Sequence, residues 1–468
     1  MAAIADAVPD KFQPPFLEGG LVTEILLRLP ATEDTYRAAA VCPQWQAWRD
    51  LVLQPPFLSR HLSPPPPPLP HDEPATIILQ PRRKVENGYV HLTLIPVEPI
   101  NPADGPVHLH LNLPIAVKWT FPEIGGTEAT DEPDLLRPVA SVLGNPCAQL
   151  PVDAASPPPY VIFFEKTAPK LGISIVASHS SLLLGRSRTS YYVCYPAANR
   201  WLQLPPPSQP SNDETASPAR GMLQSANCGF HYEVDAATGR LRFTVVALSK
   251  FKGRKVLASV FTSTTGTWAT RVVPASGAAR CLGGSTSYQG KDARSRCIAS
   301  PGVFASDGFY WLSETRSRVL YYNVFDGHIS VLRVPGKIDG ASHRVEASMS
   351  IGYADGRLRL MAVDIVTMMN RVEGSLGVWD LDGGAPRQTG DGQTAAEWRS
   401  VHRGVWQGTW IDYSGTFESF LLIAYGKTLL RYDLTTRATT EIARLRPTFK
   451  PTRLDALYRS CSIFPFFK

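Results

Sequence analysis

The sequence predicts two parts of different fold class: a small all-α module over residues 16–62 and a large all-β domain over residues 75–468, expected to be a six- or seven-bladed β-propeller. Three observations support this prediction. Apolar residues recur at helical spacing near the N-terminus, a proline run then interrupts the chain, and short apolar segments beyond it alternate with turn residues in a loose repeat. Residues 1–15 read as a disordered N-terminus and residues 63–74 as a linker.

Composition and charge disfavour several classes of protein. The chain has 468 residues, is 44% hydrophobic and carries a formal net charge of only +6 without a basic block, so a dedicated nucleic-acid binder is disfavoured. The first residues contain Asp6 and Asp10 and lack the apolar core of a signal peptide, and no run approaches the roughly 18 apolar residues of a membrane span. The scattered cysteines form no C-x-x-C pair and read as thiols in a reducing compartment. We therefore expect an intracellular protein, cytoplasmic or nuclear.

The N-terminal part predicts three short helices. The segment "GGLVTEILLRLP" carries one apolar stripe and ends at Pro30, and a second helix covers about 35–41. A third begins at Pro43 and places Trp45 and Trp48 on one face. Three helices of about ten residues cannot enclose two tryptophans and several leucines, because so small a domain buries too little of its own surface. The remaining apolar surface requires a partner.

Four blocks in this part occur in order and resemble the F-box, the module that docks onto the Skp-type adaptor of cullin-RING ubiquitin ligases. They are Leu17, "EILLRLP" from Glu24, "VCPQW" from Val41 and "PPFLSRH" from Pro55. The resemblance implies aromatic and aliphatic anchors that fill pockets in the adaptor. This adaptor-docking set comprises Leu17, Ile25, Leu26, Leu29, Pro30, Val41, Cys42 and Trp45.

Three positions depart from the F-box pattern. Glu18 and Gly20 stand where the family has Leu-Pro followed by an acidic helix cap, and Pro43 replaces a common lysine. A missing cap weakens a helix by about 1 kcal/mol, which affects adaptor affinity more than the fold. The alternative is that the helical hairpin packs against the rest of this chain as an ordinary core element.

The proline run separates the two parts. Five consecutive prolines, Pro64–Pro68, favour a stiff polyproline II rod of about 15 Å, at about 3.1 Å per residue. A ligand for an SH3-type domain is the functional alternative for the same run.

Beyond residue 74 the pattern is that of short strands, including "ATIIL", "YVHLTLI", "YVIFFE", "GISIVAS" and "RLRFTVVAL". Five strand–turn–strand segments recur 53 to 69 residues apart, and other hairpin-like segments lie between them. Two hairpins per period are typical of four-stranded propeller blades, with six the favoured count. A pair of β-sandwiches is the competing architecture. The repeated segments start at Tyr191, Val260, Leu320, Leu376 and Leu429.

Two of these segments, "YYVCYPAANRWLQLPPP" and "DGFYWLSETRSRVLYYNVFDGHISVLRVP", resemble the kelch-type repeats of plant F-box proteins. Their shared pattern is a strand, an Asn-Pro or Asp turn, and then Trp and Leu-Pro. Tyr195 departs from it, because Asn usually precedes the proline that is Pro196 here. The resemblance implies that the β domain binds a target protein, which the ligase then ubiquitinates.

The conventional signals of catalysis are weak. Cys194 and Tyr195 suggest a copper-radical oxidase only if histidines converge on them, and His108 and His110 lack an evident third metal ligand. The "GKT" at Gly426 lacks the first glycine of a P-loop and reads as a turn, and no G-x-S-x-G occurs. We therefore expect no catalytic residues, no metal and no cofactor.

The expected function is substrate recognition in an SCF-type cullin-RING ubiquitin ligase, without catalytic activity of its own. Its partners are a Skp-type adaptor, through it a cullin, and an unknown target protein; no nucleic acid or membrane is expected. The alternative is a stand-alone propeller, either a glycan binder or an oxidase-like enzyme, capped by the helical segment. The loops at 207–221 and 283–297 are candidates for target contact or are plain connections.

Overall fold

The computed structural model describes part of the N-terminal region and most of the chain from residue 159 onward. The predicted helical module lies outside the described residues except for His61 and Leu62, which are helical, and the predicted linker lies wholly outside them. The described ranges are 61–62, 76–81, 92–96, 111–113, 159–187, 190–207, 227–235, 237–238, 240–251, 255–274, 278, 282, 301–313, 318–335, 346–354, 356–368, 371–388, 394–406, 413–416, 420–425, 428–444 and 461–466.

The described β-structure consists of six four-stranded antiparallel sheets. Five of them are blades of four strands that follow one another in the chain, numbered I to V here. Blades I, II and III contain β4 (Ser174–His179), β5 (Leu182–Arg186), β6 (Tyr191–Tyr195), β7 (Arg200–Gln203); β8 (Asn227–Val234), β9 (Leu241–Phe251), β10 (Lys255–Thr262), β11 (Thr267–Pro274); and β12 (Val303–Ala305), β13 (Gly308–Leu312), β14 (Arg318–Asn323), β15 (Ile329–Arg333).

Blades IV and V complete the consecutive series. Their strands are β16 (Glu346–Ala354), β17 (Arg357–Met368), β18 (Arg371–Gln388), β19 (Thr394–Trp406); and β20 (Tyr413–Thr416), β21 (Phe420–Tyr425), β22 (Thr428–Asp433), β23 (Thr439–Arg444). The propeller arrangement is therefore confirmed. The number of blades built from consecutive strands is five, which differs from the expected six or seven.

The sixth sheet, the closing sheet, combines the two ends of the β domain. Its order is β24 (Cys461–Phe466), β1 (Thr76–Pro81), β2 (Leu92–Pro96) and β3 (Leu111–Leu113). The first strand of each blade contacts the first strand of the next, and β24 contacts both β20 and β4. The described sheets therefore form a closed ring, in which one strand from the end of the chain completes a sheet begun near residue 76. The blade count differs because this sheet is not a sequence repeat.

The loose repeat in the sequence corresponds to the third and fourth strands of the blades. Four of the five repeated segments form the hairpins β6–β7, β10–β11, β14–β15 and β22–β23, whereas the segment that starts at Leu376 lies wholly within the single strand β18 and contains no turn between two strands. The hairpin-like segments between them form β8–β9, β12–β13 and β16–β17. The reading of two hairpins per period is confirmed, because each blade contains an inner and an outer hairpin.

One predicted strand is instead helical. "YVIFFE" lies within α1 (Pro159–Ile162) and a π-helical segment (Phe163–Thr167), which α2 (Ala168–Leu171) follows. A fully apolar run fits a buried helix as well as a strand, so periodicity could not decide. Phe163 and Phe164 are buried with Trp201 of blade I. No helix in the described ranges has the length and apolar character needed to span a bilayer.

Tryptophans link neighbouring blades through side-chain hydrogen bonds to carbonyl oxygens. Trp268 of blade II donates from Nε1 to the Pro205 carbonyl, which follows blade I, over 2.6 Å. Trp311 of blade III donates to the Cys228 carbonyl of blade II over 3.0 Å. Trp398 of blade IV donates to a carbonyl of β15 in blade III over 2.8 Å. Each indole thus buries its ring between sheets and uses its polar atom to fix their spacing.

The backbones of blades II and III approach each other closely at two glycines. Gly229 of β8 and Gly302 form an isolated parallel bridge, and the Gly302 amide donates to the Cys228 carbonyl over 2.8 Å. A Cβ on Gly302 would lie 2.9 Å from the Gly229 Cα. Only glycine fits here, because the backbone of the opposing strand cannot rotate away as a side chain can.

We predict that Gly302→Ala lowers the free energy of unfolding by about 1–3 kcal/mol, because it overpacks a backbone contact. Urea denaturation followed by tryptophan fluorescence measures the change. Gly356→Asn is the matched control: Gly356 has a φ of +73° and open space around it, and asparagine tolerates that conformation. Equal stability of Gly302→Ala and the parent would show that the bridge is not tight.

Candidate functional site

The structure does not test the predicted adaptor-docking set. Leu17, Ile25, Leu26, Leu29, Pro30, Val41, Cys42 and Trp45 all lie outside the described residues, so their role stays a prediction. The last two residues of the predicted module, His61 and Leu62, are described and lie against the β domain. The contact between these two residues and blade I is called the anchor below.

The anchor combines an apolar and a polar contact. Leu62 is fully buried and belongs to the apolar cluster between blades I and II, together with Leu202 and Trp268. Arg200 donates from Nη1 to the carbonyl oxygen of His61 over 2.7 Å. The His61 ring also hydrogen-bonds to the backbone of Trp201. Two successive residues of β7, Arg200 and Trp201, therefore hold His61, and the apolar cluster holds Leu62.

Burial and a neighbouring cation keep His61 neutral. Burial, and then the positive charge of Arg200, lower the pKa of His61 to about 4, against a smaller opposing effect of its hydrogen bond to Trp201. Near neutral pH the anchor thus pairs a neutral imidazole with the backbone and leaves the charge on Arg200, whose hydrogen bond to a carbonyl is charge-assisted.

A second cluster lies where the first strands of blades I, II and III meet. His179 ends β4, His231 lies in β8, and their Nε2 and Nδ1 atoms are 3.3 Å apart. Phe304 of β12 stacks on the His231 ring, with centroids 3.8 Å apart and planes 18° from parallel. The Tyr232 ring packs edge-on against His179. We call His179, His231, Tyr232 and Phe304 the histidine cluster.

Hydrogen bonding decides where the protons of the histidine cluster lie. The Tyr232 backbone N–H donates to Nδ1 of His179 over 3.5 Å, so the proton of the neutral His179 ring lies on Nε2. Nε2–H then donates to Nδ1 of His231. Burial, followed by the proximity of His231, lowers the pKa of His179 to about 3, and burial lowers the pKa of His231 to about 4.

This arrangement suits a hydrogen bond between the two histidine rings better than a metal ion. A nitrogen separation of 3.3 Å would match two ligands of a tetrahedral zinc at about 2.05 Å each. The Tyr232 N–H, however, keeps the proton of His179 on the nitrogen that a metal would need. Within the described ranges, no group of three or more His, Cys, Asp or Glu residues is placed to hold a metal ion. The cluster therefore links the first strands of three blades through a hydrogen bond and ring packing.

The cysteine considered for oxidase chemistry is placed in the core of blade I. Cys194 is fully buried, its thiol faces the Tyr192 carbonyl at 3.9 Å, and burial raises its pKa far above the usual range. Tyr195 is only partly buried. At the predicted turn, the flanking residues Tyr425 and Thr428 pair with each other as the ends of β21 and β22, and Gly426 itself lies outside the described residues. His108 and His110 lie outside the described residues.

One face of the ring is formed by short turns within hairpins. Because consecutive strands are antiparallel, every connection from a first to a second strand, or from a third to a fourth, lies on the same side. Positive-φ residues mark these turns, and we call this side the short-turn face: Ser180, Asn199, Gly266, Ser306, Gly327, Gly356 and Arg437. The candidate loops 207–221 and 283–297 connect blades and so start from the opposite side.

Side-chain hydrogen bonds fix the turns of the short-turn face. Asp235 Oδ1 accepts from the Ala237 and Thr238 amides in blade II. Asn323 and Asp433 accept from the amides two and three residues on in blades III and V. Such Asx turns leave little conformational freedom to lose on binding. Phe325, at the tip of the blade III turn, is 85% exposed.

Sequence reasoning found neither the anchor nor the histidine cluster. His179 and His231 are 52 residues apart on different blades, and isolated histidines in strands carry no recognisable spacing. Arg200 looked like an ordinary turn residue. Only the neighbouring position of blades in the ring brings these groups together.

Comparisons with known proteins do not assign a family. No family model and no curated protein matches the chain. One similar solved structure is the tricorn protease, with 12% identity over 60% of this chain and 31% of that chain and a TM-score of 0.27. Another is a mutant of the Synechocystis apocarotenoid oxygenase, with 9% identity over 81% of this chain and 79% of that chain and a TM-score of 0.31. A chain of the nidogen/laminin complex is also similar, with 10% identity over 60% of this chain and 97% of that chain and a TM-score of 0.24. This chain covers about a third of the tricorn protease. TM-scores this low carry no functional argument.

We predict that acid destabilises the folded protein. A histidine whose pKa falls from about 6.5 in the unfolded chain to about 3 or 4 here binds its proton mainly after unfolding. Its contribution to stability is intact above about pH 6.5 and declines as pH falls towards 4, by up to about 1.4 kcal/mol per pH unit for each histidine. Urea denaturation from pH 7.5 to 4.5 measures the slope. His231→Gln should make the dependence of the unfolding free energy on pH less steep. An equally steep dependence in that variant would contradict the lowered pKa of His231.

Proposed function

We propose that this protein is the substrate receptor of an SCF-type cullin-RING ubiquitin ligase. Residues 16–62 act as an F-box that binds a Skp-type adaptor and, through it, a cullin, and the propeller-like domain, of the kelch type, binds a target protein. The receptor holds the target near the conjugating enzyme and so raises its effective concentration, without catalysing a step itself. The protein acts inside the cell, in the cytoplasm or nucleus.

The observation that best supports the proposal is the anchor. A receptor has to connect its adaptor-binding module to its target-binding domain, and Leu62, at the end of the predicted module, is buried between blades I and II. The described part of the anchor consists of the last two residues of the module. The eight residues of the docking set precede these two residues in the chain.

Adaptor binding tests the proposal directly. We predict that the full-length protein binds a purified Skp-type adaptor and that Trp45→Ala weakens binding at least tenfold, because an aromatic anchor at the centre of an interface contributes about 2 kcal/mol or more. Calorimetry or surface plasmon resonance measures the affinities. Trp398→Phe is the matched control, since it alters an aromatic side chain on the outer strand β19 of blade IV, outside the predicted docking set.

A truncation provides a second test. Removing residues 1–60 deletes the docking set but keeps His61 and Leu62, so the propeller-like domain retains its anchor contacts. The truncated protein should unfold at a temperature close to that of the parent and lose adaptor binding. If the folded full-length protein does not bind the adaptor, the ligase function is wrong.

The anchor also favours the second candidate function. A helical segment packed on the β domain is what a stand-alone propeller with an N-terminal cap would show, and such a protein would be a glycan binder or an oxidase-like enzyme. Metal analysis of the purified protein and a glycan-binding screen separate the two functions, because the ligase receptor needs neither metal nor sugar.

A further inference from the structure

We propose that the protein forms a homodimer in which a turn of blade III in one copy packs on the outer strands of blades III and IV in the other. The turn presents an exposed aromatic ring beside two carboxylates, and the outer strands present exposed arginines and a valine. This association goes beyond the proposed function and does not depend on it. We call the two surfaces the aromatic tip, formed by Asp307, Phe325 and Asp326, and the arginine wall, formed by Arg318, Arg333, Arg399, Val401 and Arg403.

Hydrogen bonds hold the aromatic tip in one conformation. Asn323 Oδ1 accepts from the backbone N–H groups of Phe325 and Asp326 over 2.8 and 3.2 Å. The Asn323 amide in turn donates to the Asp307 carboxylate over 3.2 Å, which joins the inner and outer turns of blade III. Arg271 of blade II donates to the Asp326 carbonyl over 2.9 Å. The turn that carries Phe325 therefore has little conformational freedom to lose when a partner covers the ring.

The aromatic tip combines an apolar ring with negative charge. Phe325 is 85% exposed, the highest value among the large apolar residues of the described ranges. Single exposed apolar residues are common, but an aromatic ring is a strong anchor once it enters an interface. Neither Asp307 nor Asp326 forms an ion pair with a described residue, and Arg271 offsets only one of these two charges. The tip thus fits a surface that offers an apolar contact and positive charge.

The arginine wall begins with a like-charged pair on blade III. Arg318 and Arg333 lie directly opposite each other across β14 and β15, and both are exposed. Like charges at directly opposed positions of an antiparallel pair destabilise the sheet. In the part of the chain that the structure describes, no carboxylate forms an ion pair with either arginine. Negative charge supplied by a partner would relieve this repulsion.

The outer strand of blade IV extends the arginine wall. Trp398 of β19 donates from Nε1 to the Arg333 carbonyl over 2.8 Å, which holds β19 against β15. Arg399 and Arg403 are exposed on β19 and form no ion pair with any described residue. Val401 lies between them in the sequence and is 43% exposed at a β-bulge. The wall therefore offers an apolar contact among positive charges, which complements the aromatic tip.

A second copy of the chain is the occupant that covers both surfaces at once. The tip lies on blade III and the wall on blades III and IV, so one side of the ring carries both. In a twofold dimer, every contact from one copy to the other is repeated in reverse. Two tip–wall contacts therefore form together. The wall carries four arginines and one exposed acid, Glu397, whereas the tip is negative, so the contacts are electrostatically complementary.

Sedimentation velocity of the full-length protein tests the dimer. We expect the parent to shift from monomer to dimer as its concentration rises, and to do so less readily at high salt, because salt screens exposed charges. Phe325→Ser should raise the dimer dissociation constant at least about tenfold, and so should Arg399→Glu combined with Arg403→Glu. Tyr353→Ser is the matched control, because it removes another exposed ring, on the inner strand β16, and should leave the dimer unchanged.

Mixing the two defective variants tests the pairing of tip with wall. The Phe325→Ser protein keeps its wall, and the doubly substituted wall variant keeps its tip. An equimolar mixture can therefore form one intact tip–wall contact per dimer, which neither variant can form alone. A fluorescent label on one variant reports the heterodimer by sedimentation. The mixture should associate more tightly than either component and more weakly than the parent.

Three results would overturn the dimer: a parent that stays monomeric at every concentration, a dimer that neither set of substitutions weakens, or a mixture that associates no better than its components. Circular dichroism and thermal unfolding check that each variant is folded, and all the substituted side chains are exposed. Adaptor affinity is measured on the same proteins. A parent that dimerises but binds no adaptor refutes the ligase function and leaves the dimer intact.

Discussion

The closure of the ring depends on the pairing of β24 with β1. Each residue from Thr76 to Pro81 pairs with a residue of the last strand, and that strand contacts both β20 and β4. Without this pairing, β1 would present an open edge, which is prone to pair with other chains, and the ring would lose the contacts of β24 with β20 and β4. The closing sheet removes this liability by joining segments from opposite ends of the β domain. The entropic cost of closing a loop rises only slowly with the number of residues in the loop, so it does not prevent the pairing of two such distant strands.

Contacts between neighbouring blades also stabilise the ring. A four-stranded sheet alone leaves both its faces uncovered, and apolar clusters bury the facing sides of blades I and II, of blades II and III, and of blades III and IV. Burial by itself does not determine spacing. The tryptophan hydrogen bonds to carbonyl oxygens, the Gly229–Gly302 bridge and the histidine cluster each fix two or three sheets at a set distance. The ring is therefore specified by polar contacts at a few points within a largely apolar interior.

The buried polar groups are consistent with a structural role. Arg359 and Asp380 form a bidentate pair across β17 and β18, with contacts of 2.7 and 3.0 Å, and both side chains are almost fully buried. His402 and Tyr432 link blades IV and V at 3.0 Å. Each of these groups satisfies another buried group, as buried polar atoms must. On the short-turn face, side chains cap turns and Phe325 is exposed.

The sequence by itself determined the strand–turn–strand repeat, because alternation and turn residues act within a few neighbouring positions. It also indicated the two hairpins of each blade and an N-terminal part too small to enclose its own apolar residues. It could not determine that "YVIFFE" is helical, since a fully apolar run fits either structure. Nor could it place β24 beside β1, Arg200 beside His61, or His179 beside His231. Those contacts join residues 52 to 390 positions apart. Only closure of the ring brings them together, because it decides which sheets become neighbours.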